Sequence, residues 1–497
     1  MKFVKYIGMG LMALASFSSC SSDYLDTEYT ENLDQAAAQQ AGNNDPTAFL
    51  NGIWVWMVSS NITGNDAHDD FSYMSVLHST DMMSEDIAMA GFHWFGYDYG
   101  FDNRMYNYRR TRVNWITFYT MIAKANEIIG LYPEGGSTVT EKGLIGQAQA
   151  VRALSYYYLV QLYQNCVKED GSLNLDAAGV PLKHLAIEGY SEEEIEEAKG
   201  RNTVKDVFAQ IESDLNNAVE NLQEYSRESK NEISLEVALG IQARYYLLSQ
   251  QWEKAAASAK AAQEGFDIMD EKGLQDGFMD ISNSEWMWGF DHNTETQTAY
   301  ASFFSMISAN APGYAGLGYN TSLIDARLYS KMSDTDLRKA YWFNGEEGNP
   351  DAEMNGATLP YAPKKFGDDG KWTMDYVYMR AAEMVLIEAE ALAHQGKNAE
   401  AATALSKLMV KRDPSWNKTS VSVDDVVLQR RIELWGEGFA YFDLKRLNRG
   451  IDRNYEGNNH LAGYNIAVKA QDPAWTYQIP LKELQENTHI SEADQNP

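Results

Sequence analysis

The sequence predicts a mainly α fold, a scaffold of tetratricopeptide-like helical hairpins that carries large irregular loop regions. Three observations predict it. Apolar residues recur at spacings of three and four through several long segments. Two segments share a helix–turn–helix pattern rich in small residues. Two other stretches, at about 61–112 and 265–375, are rich in Gly, Asn, Asp, Ser and aromatics and keep no period.

The elements follow in chain order. Asp45-Pro46 opens a helix with Pro at its first position, running through Phe49, Leu50, Ile53 and Met57. Trp54 and Trp56 on it are expected in the core or against a partner. Residues 114–130 place Trp115, Phe118, Tyr119, Ile122 and Ile129 on one helix face. Residues 146–164 repeat the pattern with Ala150, Leu154, Tyr157, Tyr158 and Leu162, and residues 203–222 with Val204, Val207, Phe208, Ile211, Leu215 and Ala218. The segments ARYYLLSQQWEKAAASA from Ala243 and AEALAHQGKNAEAATAL from Ala389 then align with each other. Trp252 falls on Asn398, and Ala255 on Ala401. Small residues there let two helices of a hairpin cross closely.

The N-terminus points to export. Lys2 and Lys5 precede an apolar stretch at 7–17, then Ser18-Ser19-Cys20. That stretch is too short to span a bilayer and fits a signal peptide. The run ending at Cys20 resembles a bacterial lipobox, whose cysteine is acylated and anchors the chain. The expected organisation is a signal peptide at 1–19, a lipidated segment at 20–45 and a single domain at 46–497. With lipid on Cys20, the one remaining cysteine, Cys166, has no disulfide partner and is expected in the core.

Composition narrows the partners. The formal net charge is −30, from 41 basic and 71 acidic residues, which argues against nucleic acid. No G-x-x-x-x-G-K-[ST], no H-E-x-x-H and no zinc-type cysteine spacing occurs. His68-Asp69-Asp70 and Asp368-Asp369 offer ligands for Ca²⁺, but an acidic solvated loop is the better reading of them; no cofactor is expected. Tyr, Phe and Trp number 30, 18 and 12, more than a core needs, so some are expected on a binding surface.

Trp115, Tyr119, Ile122 and Asn126 form a W-x3-Y-x2-I-x3-N helix pattern, and Arg152, Ala153 and Tyr157 an R-A-x3-Y one. With these and the motifs that follow, the chain resembles, nearly end to end, the SusD/RagB family of Bacteroidota outer-membrane lipoproteins. Gly179-Val180-Pro181-Leu182, Asp214-Leu215 with Ala218, and Arg380, Glu383, Leu386, Ala389, Glu390 and Ala391 follow in family order. The block RRIELWGEGFAYFDLKR from Arg430, and the closing Ile479-Pro480, Asn487 and Gln495-Asn496-Pro497, are the most specific matches. Gln429 stands where the family often has an acid and Ala440 near its usual Arg, which puts local ion pairing in doubt. Arg431, Glu433, Glu437 and Asp443 are expected to pair across neighbouring helix turns as scaffold.

The resemblance implies a surface glycan-binding lipoprotein, not an enzyme, that delivers oligo- or polysaccharide to a SusC-like TonB-dependent transporter. Capture of peptides for a RagA-like importer is the alternative, and glycoside hydrolysis a third reading. Family ligand platforms follow a helix ending in an acidic segment, here Ser79-Thr80-Asp81. The loop after it reads GFHWFGYDYGFDNRMYNY from Gly91. An aromatic ring can cover the C–H face of a sugar while polar side chains fix its hydroxyls. Candidate contacts are therefore Trp94, Tyr97 and Tyr99, with Asp66, Asp69, Asn103 and Arg104 as polar partners. The same alternation also fits a strand with one face in the core. The second loop region adds Trp288, Tyr314 and Tyr319. Trp286 and Trp288 alternate, which predicts one inward and one outward ring. The two loop regions are expected to meet in space.

Overall fold

The computed structural model describes residues 47–497, so Cys20 and the segments 1–19 and 20–45 lie outside the described residues. The fold opens on α1, Thr47–Val58, which buries Leu50, Ile53, Trp54 and Met57. Helix α2, Ser72–Met82, follows inside a stretch that lacks a sequence period. Every one of its residues is buried, so no single apolar face exists to be seen in the sequence. Its polar side chains fold back onto backbone: Ser79 Oγ and Thr80 Oγ1 donate to Val76 O, and Ser75 Oγ to Asp69 O.

Seven helices then carry the scaffold: α3 (Arg109–Gly130), α4 (Val139–Tyr163), α5 (Val204–Asn221), α6 (Leu235–Leu248), α7 (Trp252–Ala262), α8 (Ala381–His394) and α9 (Asn398–Met409). Each packs on its successor, so the array is built serially. Thr138 with Glu141 and Thr203 with Asp206 form reciprocal capping boxes that start α4 and α5. Close approach relies on small residues. A Cβ added to Gly146 of α4 would stand 2.8 Å from Leu222 Cγ. Ala243, Ala255 and Ala389 have no exposed surface, as the hairpin pattern predicts. Cys166 is buried too, and burial pushes its thiol up to about 12, which leaves it inert in the core.

Short antiparallel pairs tie the loops to this array. Strand β1 (Ile87–Met89) pairs with β3 (Ser322–Ile324), joining the first loop region to the second. Strand β2 (Trp286–Phe290) pairs with β4 (Tyr376–Arg380), with register shifts on both sides of Trp288. The expected alternation of Trp286 and Trp288 fails here: both rings are completely buried. The bulge breaks the two-residue period, and both faces of the strand are covered. Trp288 packs edge-on to Trp54 at 6.0 Å and donates through Nε1 to Asn231 O at 2.9 Å.

The C-terminal block folds as α10 (Val423–Glu433) and α11 (Ala440–Arg446). Its charges do not pair mainly across their own turns, as the spacing suggests; most reach distant segments. Glu433 meets Arg338 at 3.0 Å, Arg380 at 2.8 Å and Arg412 at 2.9 Å. Glu437 meets Lys365 at 2.5 Å and Arg380 at 2.8 Å, while Glu285 meets Arg380 at 2.6 Å and Arg412 at 3.1 Å. Burial alone would raise the Glu433 carboxyl, but Arg412, Arg380 and Arg338 hold it well below the usual range. Arg431 pairs with Glu85 and Asp86. Asp443 does pair locally, with Arg430 at 3.0 Å and Arg446 at 2.8 Å. At the two departures, neutral groups substitute. Gln429 Oε1 accepts from Arg338 Nη2 at 2.6 Å. The carboxylate of Asp81 accepts from the backbone N–H groups of Gly438 and Ala440 at 2.7 and 3.2 Å.

Candidate functional site

The two loop regions meet at a cluster of rings. It begins in the turn at 61–70, where Asn61 and Asp66 bond side chain to side chain at 3.1 Å and Asp66 N–H donates back to Asn61 Oδ1. Asp70 accepts from Thr63 N and Oγ1, which closes the turn and presents His68. His68 Nδ1 lies 2.6 Å from the Tyr314 hydroxyl, and its ring sits 5.2 Å from Trp94 at a tilt of 32°. Trp94 Nε1 donates to the same hydroxyl at 3.0 Å. Tyr300 completes the cluster, 4.4 Å from the Tyr314 ring and 6.1 Å from His68. His68, Trp94 and Tyr314 are half-buried and Tyr300 is 40% exposed. The cluster thus offers aromatic surface to solvent while its polar edges are fixed from below.

Charge lies beside it in paired form. Arg109, at the start of α3, places its guanidinium carbon 5.8 Å from the Trp94 ring centre and pairs with Asp69 at 2.6 Å. Asp69 also meets Arg110 at 3.1 Å, and Arg110 meets Asp98 at 3.0 Å. Burial raises the Asp98 carboxyl to about 6, against the pull of Arg110 and Asn103. The carboxylates nearest the rings are therefore tied to arginines. His68-Asp69-Asp70 is not the solvated acidic loop of the sequence reading: Asp69 and Asp70 are buried and bonded to Arg and Thr. Asp369 likewise accepts from Lys371, Trp372 and Thr373 backbone N–H groups. Among the described residues no group of three or more His, Cys, Asp or Glu is placed to hold a metal ion.

Sequence models of two groups match this chain. One, described as the SusD family, matches residues 264–497. The other, described as starch-binding associating with outer membrane, matches residues 23–247. The chain belongs to the SusD family. A SusD-like protein of Bacteroides ovatus is 23% identical over 416 residues, covering 72% of this chain and 70% of the relative. Among solved structures, a SusD-like carbohydrate binding protein from Bacteroides vulgatus superposes with a TM-score of 0.75 at 25% identity, covering 91% of this chain and 98% of that one. Surface glycan-binding protein A from Bacteroides uniformis shares the fold, with a TM-score of 0.67 at 16% identity over 91% of this chain and 99% of that one.

The SusD-family motifs in this chain hold the scaffold rather than a ligand. Tyr119 donates to Pro181 O, Asn126 to Lys183 O, and Arg152 pairs with Asp214 and Glu188, each at 2.5 Å. Asn496 Nδ2 donates to Tyr163 O and Tyr477 O. Several expected contact residues also turn out to be structural. Trp288 is in the core for the reason given above. Tyr99 has no exposed surface; its hydroxyl meets His460 Nδ1 at 2.5 Å and its ring lies 3.9 Å from the Arg453 guanidinium carbon. Asn103 is buried, its Nδ2 spent on Asp98 and the Tyr477 hydroxyl and only its Oδ1 left open. Arg104 donates to the Thr476 and Pro497 carbonyls. The run after Gly91 is not a strand: it makes a helical turn at Gly96–Tyr99, and Phe95, Tyr99 and Phe101 point inward. Asp66 stays exposed but serves its own turn.

Trp94 and Tyr314 are brought together, and Tyr97 and Tyr319 remain on the surface, 57% and 76% exposed. Gly91 fixes Tyr319 nearby, since an added Cβ there would fall 1.9 Å from the Tyr319 carbonyl oxygen. Sequence reasoning missed the part played by His68 and Arg109. Each belongs to the site through a partner far along the chain or through a ring it faces, and no local spacing signals either.

Proposed function

We propose that this chain is a surface glycan-binding lipoprotein, anchored in the outer membrane through lipid on Cys20. It captures oligo- or polysaccharide on the His68–Trp94–Tyr300–Tyr314 platform and passes it to a SusC-like TonB-dependent transporter, without cutting it. The observation that carries this reading is the bond from Trp94 Nε1 to Tyr314, which joins two loop regions into one partly exposed aromatic surface. Such a surface covers the apolar face of a sugar ring, and the fixed polar edges beside it select hydroxyl geometry. Its likeness to a carbohydrate binding protein and to a surface glycan-binding protein supports it. So does the tying of Asp69 and Asp98 to arginines, since hydrolysis needs two carboxyls free for acid and base work.

A glycan array probed with the lipid-free chain and its Trp94→Ala variant tests the proposal. The parent should retain a glycan that the variant loses, with no new reducing ends released. Retention of peptides in place of glycans would replace this reading with peptide capture.

A further inference from the structure

Arg109, which faces the Trp94 ring, also borders a cavity of about 420 Å³. Tyr97 and Tyr108 flank that space and are 57% and 38% exposed, so their rings are available to a ligand. Its base is polar and rigid. Asp98, Asn103 and Arg110 are all more than nine-tenths buried, with Asn103 Nδ2 donating to Asp98 Oδ1 at 2.6 Å and Arg110 Nε at 3.0 Å from the same oxygen. Asn103 Oδ1 has no hydrogen-bond partner within the protein. A buried acceptor left in this state calls for a donor from water or ligand. Asp102, hydrogen-bonded to the Tyr108 side chain, adds a carboxylate at the rim, while both arginines are already committed to Asp69 and Asp98.

The chemistry of this lining is specific. Two rings suit the C–H faces of a sugar, and the volume lies within the range of small-ligand pockets. Asn103 Oδ1 and the Asp102 carboxylate are both acceptors, which match hydroxyl donors and repel anions. Resting on the glycan reading above, we infer that the Tyr97–Tyr108 cavity is a second subsite, which holds a further neutral sugar unit of the chain bound at Trp94 and excludes uronate-bearing chains. The glycan then runs past the Arg109–Asp69 pair, with ring contacts on either side of it.

The test uses an immobilised array of short and long oligosaccharides, neutral and uronate-bearing, probed with the lipid-free chain. Three variants accompany the parent: Trp94→Ala, the pair Tyr97→Ala with Tyr108→Ala, and Asp102→Lys, each checked by its thermal melt. The parent should hold neutral chains only. The tyrosine pair should weaken long neutral chains about tenfold or more and leave the shortest bound chains unchanged. Asp102→Lys should admit uronate-bearing chains. Equal binding of long chains by parent and tyrosine variant overturns the subsite, and leaves the platform standing if Trp94→Ala still abolishes binding. A loss confined to the tyrosine variant keeps the subsite and removes the platform. Uronate chains held by the parent as well as neutral ones overturn the exclusion, and no glycan held by the parent overturns both readings.

Discussion

Trp94 Nε1 donates to the Tyr314 hydroxyl at 3.0 Å, across 220 positions of sequence. The same hydroxyl meets His68, so one oxygen orients two rings from another loop. The exposed faces of the cluster are thereby set before a ligand arrives, which lowers the ordering penalty on binding.

Removing that oxygen should therefore weaken binding without removing a ring. Tyr314→Phe leaves Trp94 Nε1 without its acceptor and is expected to lower glycan affinity several-fold and stability by about 1 kcal/mol. Trp94→Ala removes the stacking face and should lower affinity about tenfold to a hundredfold. Because Trp94 is half-buried, its loss should also lower the melting temperature, more than an exposed ring would and less than a core one. Calorimetric titration and melts on the same variants separate the two effects.

His78 of α2 is fully buried, its ring 4.6 Å from Phe95, and neither ring nitrogen has a partner. Burial lowers its pKa to about 3, with His93 and Arg110 pushing the same way. The unfolded chain takes up that proton below about pH 6.5, and the folded chain refuses it until about pH 3. His78 thus costs stability as pH falls through that window, by about 1.4 kcal/mol per pH unit. His78→Leu should lose about 2 kcal/mol less than the parent between about pH 6.5 and pH 5, read from denaturant midpoints. Parallel losses in both proteins would show that the imidazole is protonated in the folded state.

Glu433→Gln should destabilise by about 3–5 kcal/mol, because Arg338, Arg380 and Arg412 lose a shared buried partner. The Glu433 carboxyl is held below its unfolded value of 4.5, so its stabilisation is fully present above that value and lost only as pH falls toward the depressed one. The deficit of the variant should stay constant from about pH 6 to pH 8. Urea titration at several pH values measures it.

Ala389 of α8 has no exposed surface and shares an apolar cluster with Ala401 and Leu405 of α9. Ala389→Leu should overpack this crossing and cost about 1–3 kcal/mol. An unchanged denaturation midpoint would show that the two helices can move apart there.

Cys20→Ala should leave the fold intact and abolish membrane association. Detergent-phase partitioning of the parent and the variant reads this directly; equal recovery in the detergent phase would exclude Cys20 as the anchor.

Much of the scaffold was legible because its helices hide one face and show the other. The spacing of Val204, Val207, Ile211 and Leu215 is a direct imprint of that asymmetry, and all four are buried. Helix α2 left no such imprint, since it is covered on every side. Trp288 misled because a bulge displaced the two-residue period on which its outward placement rested. Arg431 and Glu433 could be recognised as scaffold charges, but their partners are chosen by the tertiary fold and lie up to 346 positions away. The same holds for the site. Aromatic richness pointed to Trp94 and Tyr314, whereas Asn103 was drawn inward by Tyr477, 374 positions downstream.

The ion cluster around Arg380 has a consequence for how the molecule comes apart. Its members are drawn from β4, the end of α10 and the turn after it, the segment before β2, the short helix Leu337–Tyr341 and the loops at Lys365 and Arg412. Each is out of water, so a state in which one segment peels away strands a bare charge among apolar neighbours. Partial unfolding between Glu285 and Glu437 is therefore penalised, and these segments come apart together in one cooperative step. The pairs are also shielded from counterions, so added salt should leave this cooperativity almost unchanged.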